Sequence, residues 1–166
     1  MAAPTPFVAK LYKYFPLAEK VCLAAFAAGY LLTYFGNTNG NEIIILSLNG
    51  LSAIYFLSAF APPEKQSDEQ NQPKGFSALF ARTIGPKILG IGASVVMVGV
   101  LYTLLHYAGS REMLFIGGTS LGLAATIGFL ATIEDEEGRN SMRPMLIRAV
   151  PLVFIAVYML WYYKAN

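Results

Sequence analysis

Ile88–Tyr107 reads ILGIGASVVMVGVLYTLLHY and Met113–Ile133 reads MLFIGGTSLGLAATIGFLATI, and neither run contains Asp, Glu, Lys or Arg. A helix needs roughly 20 apolar residues to cross a hydrocarbon core ~30 Å thick, and each run has that length. Only a short polar turn separates them, so they predict a transmembrane helical hairpin. Working outward, Leu17–Phe35, Ile43–Ala61 and Met145–Tyr163 give three further spans. Continuous apolar runs lack the alternation of an outer-membrane barrel strand. Helices close their own backbone hydrogen bonds in lipid, which an open sheet cannot do. The predicted fold class is all-α: a polytopic integral membrane protein of five transmembrane helices, two repeated hairpins followed by a C-terminal span.

Composition agrees. The chain is 55% hydrophobic and 13% charged, with a mean hydropathy of +0.51, whereas a soluble domain carries about 25% charge. A net charge of +2 offers no basic field for nucleic acid. The single cysteine, Cys22, rules out a disulfide framework within the chain and a multi-cysteine metal site. The first apolar run starts near Leu17 and no small-x-small cleavage site precedes a polar domain. A retained span is therefore expected rather than a cleaved leader.

The last span is the least regular. Arg148 lies inside it and Pro151 follows. An arginine near a helix end reaches the headgroups, and a proline near a helix start costs little. Tyr158, Trp161, Tyr162 and Tyr163 resemble an interfacial aromatic belt. Lys/Arg residues then fall on alternate sides. Lys10, Lys13, Lys20, Lys65, Lys74, Arg82, Lys87, Arg139, Arg143 and Arg148 share one side, against Arg111 and Lys164 on the other. The positive-inside rule puts the N-terminus in the cytoplasm and the C-terminus outside.

The resulting division is 1–16, a cytoplasmic interfacial amphipathic segment; 17–63, the first hairpin; 64–83, a cytoplasmic linker and interfacial helix; 84–134, the second hairpin; 135–144, an acidic and basic cytoplasmic loop; and 145–166, the fifth helix. Phe7, Leu11, Tyr14 and Phe15, and again Phe76, Leu79, Phe80 and Thr83, have the helical spacing of surface-lying helices.

The two hairpins echo one another at a shift of 70 residues, which pairs Gly29 with Gly99, Leu31 with Leu101, Thr33 with Thr103, Glu42 with Glu112, Leu51 with Leu121 and Ala61 with Ala131. Each copy ends a helix in Gly-x-Leu-x-Thr, turns, and opens the next helix with Glu, where the macrodipole favours an acid. Such copies are related by an axis along the membrane normal.

The stretch from Gly99 through His106 and Glu112 to Gly117, GVLYTLLHYAGSREMLFIG, resembles the hairpin of GldL, a membrane motor component of gliding motility and type IX secretion in Bacteroidota. The end of the first hairpin, Ile54–Pro63, resembles the end of that family's second helix. The resemblance covers roughly residues 17–63 and 86–134. It implies a proton-driven motor in which several hairpins surround single helices of a partner, in a bacterial inner membrane. His106 matches a family histidine. The family's lysine one turn earlier corresponds to Thr103, and to Thr33 in the first copy. Its intramembrane glutamate falls near Leu51 and Leu121. Those departures, and the lack of the family's long cytoplasmic tail, imply a divergent, duplicated relative rather than a working motor unit.

From the residues themselves, His106 is the one candidate for proton transfer, since histidine changes charge near neutral pH; the plainer reading is a capping or interfacial residue. Gly90, Gly117, Gly118, Gly122 and Gly128 read as helix-packing positions, Gly118 and Gly122 in a small-xxx-small pattern. Asn49 is expected to hydrogen-bond a neighbouring helix. Glu134, Asp135, Glu136 and Glu137 could bind a basic partner, or simply form a solvated loop. No phosphate loop, nucleophile elbow or metal-ligand cluster is present, so no cofactor, metal or enzyme activity is expected. The expected partners are the lipid bilayer, other membrane subunits or further copies of the chain, and no nucleic acid. The expected role is a structural or accessory subunit of an inner-membrane complex, with a proton- or ion-coupled motor or channel component, or a small transporter, as alternatives.

Overall fold

A computed structural model describes residues 6–60, 80, 84–134 and 136–165, with side chains described for 12–60, 80, 84–131, 133 and 143–162. Its elements are α1 (Pro6–Tyr34), α2 (Asn39–Ser58), α3 (Gly85–Leu104), α4 (Ser110–Glu134) and α5 (Glu136–Ala165). Each contains a segment long and apolar enough to cross a membrane: Tyr12–Tyr34, Asn39–Ser58, Gly85–Leu104, Ser110–Ala131 and Arg143–Tyr162. No strand occurs among the described residues.

Two boundaries differ from the sequence reading. The segment 1–16 was expected to lie on the surface apart from the first span, yet α1 runs unbroken from Pro6 through Pro16 to Tyr34. A proline removes one backbone donor, and this single loss does not end a helix otherwise built of Leu, Ala, Phe and Tyr. The stretch 135–144 was expected as a loop, yet α5 already begins at Glu136. Acids suit a helix start, so charge there did not signal a break. The linker 64–79, the expected surface residues Phe76, Leu79 and Thr83, and the side chains of Phe7 and Leu11 lie outside the described residues. Phe80 is buried.

The bundle is built around α3, which packs on α2, α4 and α5, while α1 packs on α2 and α5 on α4. Glycines let these helices approach closely. A Cβ on Gly90 would come within 2.8 Å of Ala59 Cβ and of the Tyr55 carbonyl on the α2 side, and one on Gly117 within 2.9 Å of the Val96 nitrogen on α3. Gly118 faces Ala156, and Gly122 faces Val153, which sets α4 and α5 antiparallel. The core contains Leu51 and Leu121, each fully buried, with Leu48, Val96, Leu114 and Ala156.

The turns repeat in structure as in sequence. In the first hairpin Gly36 N–H bonds Thr33 O at 3.0 Å and Asn37 N–H bonds Leu32 O at 2.9 Å. In the second, His106 N–H bonds Thr103 O at 3.2 Å and Tyr107 N–H bonds Tyr102 O at 2.8 Å. Both are Schellman caps, which place a left-handed residue just past the helix. Gly36 takes φ 82°, and His106 takes φ 56° at the matching position. Tyr107 and Tyr102 rings meet edge-on at 5.6 Å, supplying the apolar contact that accompanies such caps.

A candidate charged cluster inside the bundle

Three side chains from three helices meet between α1 and α5. Glu19 lies two turns into the first membrane segment, Tyr55 one turn before the end of α2, and Arg148 within the first turns of the fifth segment. All three therefore occupy the same end of the bundle. The Tyr55 hydroxyl donates to Glu19 Oε1 at 2.9 Å. The Arg148 guanidinium meets Glu19 Oε2 at 3.0 Å. One carboxylate thus accepts from two helices at once, with 10% of its side chain exposed against 42% for Arg148. An ionised acid in a membrane segment is expensive unless paired, and Glu19 has one partner for each oxygen. No buried polar side-chain atom among the described residues lacks a partner.

A cavity of about 560 Å³ opens beside this cluster, bounded by α1, α2, α3 and α5. Its walls are almost wholly apolar, including Phe26, Leu51, Val100, Leu152 and Ile155, and Glu19, Tyr55 and Arg148 form one end. A second void of about 30 Å³ touches Tyr55, Ser58, Gly90 and Arg148. That is room for a water molecule.

Sequence reasoning missed Glu19. Among the ten acids it is the one deep inside a span: Glu42 and Glu112 open helices, Glu64, Asp68 and Glu69 sit in the polar linker, and Glu134 to Glu137 form the charged run. An acid in the first span and an arginine in the last, at equal depth from the same side, was the available signal.

Of the residues singled out from sequence, Gly90 borders this cluster at the small void, and the other described ones lie elsewhere. His106 is exposed in the α3–α4 turn. Thr103 is buried and its hydroxyl donates to Gly99 O at 2.8 Å. Gly90, Gly117, Gly118 and Gly122 face helices of the same chain, and Gly128 is buried. Asn49 corrects the expectation. It faces outward and donates to Ile45 O of its own helix at 2.8 Å rather than to a neighbour, because α1 and α3 take the other sides of α2 and its amide then finds the carbonyl one turn back. The side chains of Glu134, Asp135, Glu136 and Glu137 lie outside the described residues. No group of three His, Cys, Asp or Glu side chains that could hold a metal ion occurs among the described residues.

Five apolar spans around a paired charge cluster define a multi-pass α-helical membrane protein. Comparison with protein families identifies part of it: the family model of the GldL N-terminal domain matches residues 88–143, which covers most of α3, all of α4 and the start of α5. Over that stretch the chain is GldL-like, and the spans together with the match define a multi-pass inner-membrane protein. Neither the curated proteins nor the solved structures gave a match.

Proposed function

We propose that the chain is a structural or accessory subunit of a GldL-type inner-membrane complex, of the kind that serves gliding motility and type IX secretion. The carrying observation is the family match on the α3–α4 hairpin, taken with what occupies that hairpin. The position that resembles the family's lysine is Thr103, closed onto Gly99 O. The position nearest the family's glutamate is Leu121, fully buried in apolar contact. A proton path needs an ionisable group that can exchange with water, and this hairpin has none at those places. Its outward residues, Phe115, Ile116, Leu123, Phe129 and Leu130, are apolar and suit lipid or a partner's helix. The two hairpins sharing one cap geometry support an origin by duplication. The Lys/Arg pattern supports a cytoplasmic N-terminus.

The test is affinity purification of the tagged chain from native membranes in mild detergent. Recovery of other secretion or gliding motor components supports the reading, and recovery of the chain alone contradicts it.

Glu19 favours a second reading, an ion-coupled component. It is a buried carboxylate with a water-sized void beside its partners. That reading predicts that Glu19→Gln abolishes proton flux in proteoliposomes. Equal flux in both forms, or none in either, ends it.

A further inference from the structure

The outward face of α2 carries a polar group where only lipid or another helix can meet it. Leu46, Asn49, Ala53, Phe56 and Phe60 are all exposed, and their spacing of three and four residues makes them one continuous stripe. Asn49 lies near the middle of α2 (Asn39–Ser58), about 15 Å from either end at ~1.5 Å per residue. Its amide has two N–H donors and a carbonyl oxygen. One N–H goes to Ile45 O at 2.8 Å. The second N–H and the oxygen have no partner among the described residues, and hydrocarbon supplies none. An unpaired amide at that depth is costly, so it calls for both a donor and an acceptor at its own level.

The repeat shows that this need is particular to α2. A shift of 70 residues carries Leu46, Asn49 and Ala53 onto Ile116, Thr119 and Leu123, the exposed stripe of α4. There the Thr119 hydroxyl already gives its one proton to Phe115 O at 2.7 Å, and Leu123 is bulkier than Ala53. The α4 stripe is thus closed for contact with lipid, and the α2 stripe is not.

The same stripe of a second copy meets both needs. Two copies inserted the same way round are related by a two-fold axis along the membrane normal, and a two-fold interface sets each residue of the axis against itself. Asn49 then faces Asn49 at equal depth, and each carbonyl oxygen accepts the other's free N–H. Ala53, one turn on, lets the backbones approach. Leu46 and Phe56 flank the pair at the alternating spacing of a parallel coiled coil, in which one asparagine fixes register and pairing. Glu42, the acid on this side, is in the first turn of α2, at the watery end where like charges are screened.

We propose that the α2 stripe is a self-association face, joining two copies of this chain through reciprocal hydrogen bonds between their Asn49 side chains. The pairing does not depend on membership of a GldL-type complex.

The test is oxidative crosslinking of the full chain in native membranes, with Cys22→Ala plus Ala53→Cys as the reporter and Cys22→Ala plus Leu123→Cys as the α4 control. The expected result is a product of twice the chain's mass from the reporter, at least about fivefold stronger than from the control. Adding Asn49→Leu should weaken it about tenfold, the scale of interhelical side-chain hydrogen bonds in a membrane, and Asn49→Gln, which keeps the amide, should retain most of it. Leucine is the more apolar residue, so a purely apolar contact would hold or tighten. Undiminished product in the Asn49→Leu form therefore overturns the pairing, as does equal product from the two sites or an adduct with a different protein. Single-molecule photobleaching of the tagged chain in vesicles gives a readout free of introduced cysteines. Two-step bleaching that falls on Asn49→Leu supports the dimer, and single-step bleaching of the wild type at every density overturns it.

Discussion

Removing Arg148 separates a structural ion pair from an incidental one. In Arg148→Ala, Glu19 keeps the Tyr55 hydroxyl on one oxygen and loses its cation on the other. Breaking a buried pair by deleting one partner costs about 3–5 kcal/mol, and an exposed pair contributes roughly 0–1 kcal/mol. Glu19 is buried and Arg148 is 42% exposed, so the expected loss lies between those limits, about 2 kcal/mol. Glu19→Gln should cost less, about 1 kcal/mol, because the amide still accepts from Tyr55 and Arg148 can extend to the headgroups. The double change Glu19→Leu with Arg148→Leu should recover most of the loss, since apolar replacement of a buried pair is often neutral. The assay is equilibrium unfolding in detergent micelles, with Glu19→Leu and Arg148→Leu also made singly so that they close a double-mutant cycle with the double variant. A coupling energy indistinguishable from zero, with both single variants near wild type, would refute the reasoning.

Other substitutions probe the packing and the turns. His106→Gly should stabilise the chain by roughly 1 kcal/mol, because an L side chain is disfavoured at φ 56°, and thermal melting checks this; a loss of stability would show that the imidazole holds the turn. Gly90→Val should destabilise by about 1–3 kcal/mol, since its Cβ meets the Tyr55 carbonyl at 2.8 Å, while Gly122→Ala should be close to neutral with Val153 at 3.8 Å. Ser52 and Ser94 share a buried hydroxyl contact of 2.8 Å between α2 and α3. Replacing either by Ala should cost about 0.6 kcal/mol, and the two losses should be strongly non-additive in a cycle.

The spans were legible because lipid enforces them: only an apolar helix of that length satisfies its backbone in the bilayer. The matching turns were legible in Thr33 and Thr103, whose carbonyls accept the same capping bond in both. Helix ends were not. Divisions were expected after residue 16 and over 135–144, and α1 and α5 run through or begin there, because helix continuity depends on backbone bonds that composition samples only weakly. The cluster was legible in parts and invisible as a whole. Arg148 was noticed for its cost in a span, Glu19 was passed over beside Lys20, and Tyr55 is one of ten tyrosines. Their meeting depends on α5 returning to the side of α3 that leaves it opposite α1, and one chain's hydropathy says nothing of that order. His106 drew interest for its chemistry, yet its backbone occupies the place that Gly36 fills in the first hairpin.

The central claim, that this subunit serves assembly rather than ion coupling, is tested most directly by complementation in its own host. A strain lacking the chain would receive the Glu19→Leu, Arg148→Leu double variant, and secretion and gliding speed would be measured once complex assembly is verified. The account predicts full assembly and wild-type output. Full assembly with no output would contradict it and assign the driving chemistry to Glu19.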